Sequence, residues 1–204
     1  MAKLKKTKNE LKAQREALQR YQRFLPTLEL KKQQLQREVR RAEAELRRCE
    51  ERANELLAGL RPWAGLLTGP PDLAEYVRVE GLEVDTVNVA GVNAPVLAGL
   101  RYVPAAIDYF ATPVWLDDAV EVLGELTRLR AEMRVLVRQR DLLGEELRLT
   151  SQRVNLFEKV MIPSTLDNIR IIRIALGDAQ TAAVARAKLA KSKTVSVLSG
   201  KSSA

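Results

Sequence analysis

Histidine is absent from this chain of 204 residues, and cysteine occurs once, at Cys49. The first absence removes the commonest general base and the commonest metal ligand together, so with one thiol the sequence predicts no zinc site, no metal and no bound cofactor. A single cysteine also excludes an internal disulfide. Aromatic residues make up 4% of the chain against 29% charged residues, a balance that suits an elongated helical protein better than a rounded core. Uninterrupted apolar runs stay well short of the roughly 20 residues that cross a bilayer, and the N-terminus lacks the apolar stretch of a secretory signal. A soluble, intracellular chain is the expectation.

What the sequence has in abundance is heptad periodicity, in two tracts. In the first, Leu4, Leu11, Leu18, Leu25, Val39, Leu46, Ala53 and Leu60 fall seven apart, interrupted at Lys32, while Leu28, Leu35, Ala42, Cys49 and Leu56 lie three further on. That is a coiled-coil seam, and its seam position assigns Cys49 to packing. The second tract runs through Ala119, Leu126, Met133, Leu147, Val154 and Met161, with Val122, Leu129, Leu136, Leu143 and Phe157 at the other position. About 50 residues separate the tracts, enough to reverse direction, so the simplest pairing is intramolecular and antiparallel. A parallel dimer that loops out its middle remains the alternative.

The expected organisation is an N-terminal coiled-coil helix over 1–61, a connecting region with a β-hairpin over 62–114, a C-terminal coiled-coil helix over 115–190 and a disordered basic tail over 191–204. Pro26 should kink the first helix, because it removes a backbone donor and crowds the preceding turn. Arg61-Pro62 and Gly65 should stop it, with Gly69-Pro70-Pro71 forming a rigid corner. In the insert, Val77 and Val79, then Val87 and Val89, alternate with polar residues as half-exposed strands do. Tyr76 to Val84 and Thr86 to Val92 therefore read as paired strands, with Val96 to Val103 as a possible third before Pro104. Trp63 and Trp115 stand at the insert ends of the two helices, where core packing or mutual contact would bury them. Asp117 and Asp118 fall in the first turn of the second helix and favour its positive end. After Met161 the apolar residues Ile162, Leu166, Ile169, Ile172 and Leu176 adopt a new register, a stutter beside Pro163. Beyond Leu176 small residues, mostly alanine, predict a slim helical end.

Two apparent chemical motifs dissolve on inspection. Ser199-Gly200-Lys201-Ser202 resembles the end of a phosphate-binding loop, but position 195 is Val195 where that motif needs glycine. Neighbouring carboxylates such as Glu145 with Glu146, or Asp117 with Asp118, point about 100° apart on a helix and do not converge.

The net charge of +8 is unevenly placed. Residues 1–23 hold eight basic and two acidic side chains, and residues 170–204 hold seven and one, whereas residues 62–169 hold ten basic and sixteen acidic. With antiparallel helices, both basic ends meet at one tip. Such a tip suits nucleic acid, where binding would fall steeply with salt, or an acidic protein cavity, or serves solubility alone. Aromatics for base stacking are sparse there, with only Tyr21 and Phe24 nearby.

At Arg153-Val154-Asn155-Leu156-Phe157-Glu158-Lys159-Val160-Met161-Ile162-Pro163 the sequence resembles the signature of the D subunit of the V-type rotary ATPases, R-R-V-N-A-L-E-x-x-x-I-P. Leu28 to Leu35 is similar to that family's L-L-K-x-K-R-x-x-L, and Asn88-Val89-Ala90-Gly91-Val92-Asn93-Ala94-Pro95 to its N-V-x-G-V-x-x-P. The departures are Gln152 for the first arginine, Leu156-Phe157 for Ala-Leu, Pro26 where glycine is frequent, and an apolar and basic Ile171 to Leu176 in place of an acidic stretch. The chain is identified as a divergent bacterial member.

The resemblance implies a non-catalytic rotor shaft, without cofactor, that transmits torque between a catalytic head and a membrane ion-translocating ring. It implies as partners the A/B-type head subunits, the small rotor F subunit and a funnel-shaped stalk subunit above the ring, with neither nucleic acid nor direct membrane insertion. Its place would be cytoplasmic, on the inner face of the cell membrane. Lys12, Leu30, Lys31, Arg153, Asn155, Glu158, Ile162 and Pro163 are the implied contacts to the head's collar, and Val89, Gly91 and Val92 the implied contacts of the insert.

Overall fold

Fifty-three residues of heptad sequence form one helix, α1 (Lys8–Leu60). The computed structural model describes residues 4–69, 72–103, 108, 110 and 112–201. After α1 come a 3-10 turn (Arg61–Thr68), a short helix α2 (Leu73–Tyr76), strands β1 (Val79–Val89) and β2 (Val92–Tyr102), helix α3 (Leu116–Leu156), a π-helical turn (Phe157–Met161) and helix α4 (Ile162–Lys201). The chain is mainly helical, with a small antiparallel hairpin between its long helices. It divides into two units, Leu30–Ser151 and Met1–Glu29 with Gln152–Ala204.

In Leu30–Ser151 the heptad positions form the core. Leu35, Ala42 and Cys49 are buried on α1 at intervals of seven, and Leu136, Leu143 and Thr150 are buried on α3 at the same interval. Leu35 and Leu143 are sealed completely, which contributes about 1.5–3 kcal/mol for each side chain. Two ion pairs fix the direction of pairing. Lys31 Nζ lies 2.6 Å from Glu146 Oε1, and Arg52 Nη2 lies 3.2 Å from Glu125 Oε1. The step forward along α1 from Lys31 to Arg52 is matched by an equal step back along α3 from Glu146 to Glu125, three heptads each way. The pairing is therefore antiparallel and within one chain. Towards the insert, Ala53, Leu60 and Leu126 make a cluster joined by Leu56, Trp63, Val122 and Met133.

Proline marks the end of α1 as expected, but the chain tightens there into a 3-10 turn instead of opening into a loop. Pro62 opens the turn, and Trp63 breaks the helical geometry at φ −120°, ψ 15°. That break lets its ring join the core cluster while its indole N–H donates to the Gly59 carbonyl at 2.9 Å. Among the described residues the aromatic pair is Tyr21 with Phe157, not Trp63 with Trp115. Pro70, Pro71 and Pro104, which complete the expected corner and strand end, lie outside the described residues.

The strand layout differs from the expected one. β1 runs unbroken through Asp85 and Thr86, and the segment read as a third strand is the body of β2. The turn falls at Ala90-Gly91, where both φ angles are positive, 51° and 82°, the geometry of a two-residue type I′ loop. Asn88 braces it, accepting the Gly91 N–H at its side-chain oxygen and donating from its amide nitrogen to Asn93. Gly81 and Pro95 sit inside the strands. The register shifts near Gly81 and between Glu83 and Val84, and a two-stranded sheet leaves each strand an edge on which proline is tolerated.

In the other unit, α1 begins with a side-chain cap. Thr7 Oγ1 accepts the backbone N–H of Glu10, three residues on. The helix then passes through Pro26 without interruption, at the expense of the hydrogen bond that residue 26 would give to the Gln22 carbonyl. Tyr21 and Phe157 pack with ring centroids 5.3 Å apart.

At Pro163 the expected disturbance takes the form of the π-helical turn. The Ile162 N–H donates to the Phe157 carbonyl, five residues back, and the Met161 carbonyl accepts the Ser164 and Thr165 hydroxyls. This turn accommodates one extra residue. Uninterrupted heptads from Val154 would bring Asn168 and Ile171 inward; the buried residues are Thr165, Ile169 and Ile172. Leu166, expected inside, is exposed. Ile172 is the last buried side chain among the described residues, and every described side chain from Gly177 to Lys193 is exposed. The reason is length. α1 begins only at Lys8, and counting outward from the Tyr21–Phe157 contact at equal rise brings Lys8 level with Arg170. From Lys191 the backbone is helical to Lys201, and residues 202–204 of the expected tail lie outside the described residues.

Thr150 is fully buried with an unpaired Oγ1. Thr150→Val keeps the shape and removes the unsatisfied hydroxyl, so it should raise stability by about 1 kcal/mol in chemical denaturation. Burial, followed by the nearby Glu132, Glu45 and Glu50 carboxylates, pushes the Cys49 thiol above its ordinary pKa. The fold thus favours the neutral thiol. That contribution is complete below the unfolded pKa, about 8.5, and is lost as pH rises through the raised value. Between the unfolded pKa and the raised value, stability of the parent should fall more steeply with pH than that of Cys49→Ala.

Candidate functional site

No cluster of three or more histidine, cysteine or acidic side chains among the described residues could hold a metal ion, and no helix among them is long and apolar enough to cross a membrane. Where titration is displaced, the cause is local. The Arg148 guanidinium donates two hydrogen bonds to Glu145, at 3.0 and 2.7 Å, holding that carboxyl below its ordinary range and the guanidinium above its own. Both groups belong to one solvated face of α3. The thiol of Cys49 is buried. These groups share no cleft, so the candidate site is a surface.

The segment Arg153–Pro163 splits by face. Val154 is buried and Phe157 and Met161 are half-buried, facing inward, whereas Arg153, Asn155, Glu158 and Pro163 are exposed and Ile162 is intermediate. Helical spacing sends the signature's polar residues outward because its apolar residues occupy the seam. Two exposed neighbours escaped the sequence reading, Leu156 and Val160. They continue into a wider set of exposed apolar side chains on α4, among them Ile171, Ile174, Val184 and Leu189. Their signal was available: apolar residues that fit neither seam position. Lys12 is also exposed and makes a loose contact with Glu16, 3.8 Å away on its own helix.

In Leu30–Ser151 the outcome is mixed. Leu30 is exposed, but Lys31 is half-buried and committed to Glu146. The hairpin turn comes to the same place. A Cβ built on Gly91 would stand 3.9 Å from Lys31 Nζ, so two separately quoted motifs meet there. Val89 and Val92, the pair that closes the turn, are half-buried, and Gly91 is exposed.

The family model for the ATP synthase D subunit matches residues 10–192. The chain belongs to the ATP synthase D-subunit family. It is 40% identical over 195 residues to the V-type ATP synthase D subunit of Borreliella burgdorferi, covering 96% of each chain. It is 34% identical over 193 residues to the V-type ATP synthase D subunit of Chlamydia pneumoniae, covering 93% of this chain and 92% of that one. The match to the D-subunit family spans both long helices and the hairpin together.

Within this D-subunit family member, the half-buried Lys31–Glu146 pair is the most testable internal contact. Lys31→Glu or Glu146→Lys alone should each lower stability by about 1–3 kcal/mol. The double exchange should recover most of that loss in a denaturation cycle.

Proposed function

We propose that this chain is the non-catalytic central-stalk subunit of a V-type rotary ATP synthase, transmitting torque between the catalytic head and the membrane ion-translocating ring. Its partners on this reading are the A/B-type head subunits, the small rotor F subunit and the funnel-shaped stalk subunit. It would lie on the cytoplasmic side as a peripheral part of the complex. The family assignment supports the complex, and one structural observation carries the role within it. The end of α4 is a lone exposed helix, from Gly177 to Lys193, bearing Val184 and Leu189 outward with Arg186, Lys188 and Lys191. A helix this exposed that still carries large apolar side chains needs a surrounding surface. A cavity in the head supplies one.

Torque transfer needs a body that presents different faces to different sites, since a ligand or partner shifts an equilibrium only through differential contact. An antiparallel two-helix pair is such a body, because α1 and α4 carry unlike side chains round its circumference. The exposed residues Arg153, Asn155 and Glu158, with Lys12, are the proposed collar contacts. Lys31 is assigned instead to holding the helices together, because its charge is already paired.

Arg153→Glu and Lys12→Glu reverse charges that the fold does not use to join its helices, so both variants should retain the helical content of the parent. They should weaken co-assembly with the head subunits and reduce ATPase coupling severalfold. Unchanged assembly and unchanged coupling in both would refute this role for the surface.

A further inference from the structure

We propose that the β1–β2 hairpin is a releasable strap, seated by its tip on the Lys31–Glu146 pair and able to lift from α1 and α3 while those helices stay paired. Two strands without a third are marginal in water and rely on what lies beneath them. Here that support is concentrated at the ends. At the tip, Ala94 is fully buried, Val89 and Val92 are half-buried, and Gly91 approaches Lys31. At the base, the Tyr102 hydroxyl donates to the Gly124 carbonyl at 2.9 Å. Between these points the contact is uneven, with Leu97 and Leu100 half-buried and the β1 side chains more exposed. A groove of about 290 Å³ lies between Val87, Val89, Val96 and Leu97 of the hairpin and Ala42, Val135 and Leu136 of the helices. Leu82, Val84 and Val87 remain 46%, 43% and 48% exposed.

The helices also share contacts in which the hairpin takes no part. Leu35 and Leu143 occupy the heptad seam, are fully buried and do not line the groove beneath the hairpin, and the ion pairs Lys31–Glu146 and Arg52–Glu125 link helix to helix. Lifting the strap therefore breaks the contacts at its two ends and leaves the seam closed. Glu146 has a second part in this arrangement, since it holds the Lys31 ammonium in place under the turn.

Amide hydrogen exchange on the full chain tests the proposal. The amides of β1 and β2 are expected to exchange at least about tenfold faster than those of α1 between Leu35 and Cys49, as a unit that opens below global unfolding does. Glu146→Gln and Tyr102→Phe should each raise the ratio of hairpin to helix rates further, severalfold. Taking the ratio separates strap release from any general loss of stability. Equal protection of hairpin and helix in the parent would overturn the proposal, and so would a ratio that neither substitution moves.

Discussion

The antiparallel apolar seam between α1 and α3 is the contact on which everything else in Leu30–Ser151 rests. It is built from residues as small as Ala42 and as large as Leu143. Such a seam buries little area per turn and so gains its strength from repetition in register. The ion pairs at Lys31 and Arg52 lie three heptads apart and match partners three heptads apart, which fixes that register against slippage. The hairpin then has a defined floor, and its turn a defined landing place.

In the unit that contains both chain ends, the governing constraint is backbone supply. Pro163 cannot donate to the Lys159 carbonyl, and the chain answers by widening one turn, with hydroxyls of Ser164 and Thr165 turned to the Met161 carbonyl. The widened turn moves the inward stripe by one residue, so Thr165, Ile169 and Ile172 take over the packing. A single imino acid thus decides which face of α4 is buried, and with it which apolar residues are left outside.

Much of this was legible beforehand. The two heptad tracts, the turn residues and the three family motifs pointed to the helices, the intervening hairpin and the family, because each rests on a short-range rule with one outcome. Placement of the strands was less legible. Asp85-Thr86 looks like a break and Ala90 does not, yet Ala90 takes the positive φ and Asp85 stays extended; cross-strand pairing outweighed local preference. Thr165 replaced Leu166 for a related reason, since a helical wheel assumes constant pitch and the pitch changes at Phe157. The exposed residues Arg153, Asn155 and Glu158 followed from spacing, whereas the burial of Lys31 depended on Glu146, a partner far away in sequence.

The outrunning of α1 by α4 has a thermodynamic meaning of its own. A solitary helix of a few turns stands near the balance point between helix and coil in water, where length and temperature tip it either way. The alanines of Gly177 to Lys193 favour the helix and little else holds it. A partner that enclosed that end would also set its degree of order, making the entropy of this segment a variable of assembly.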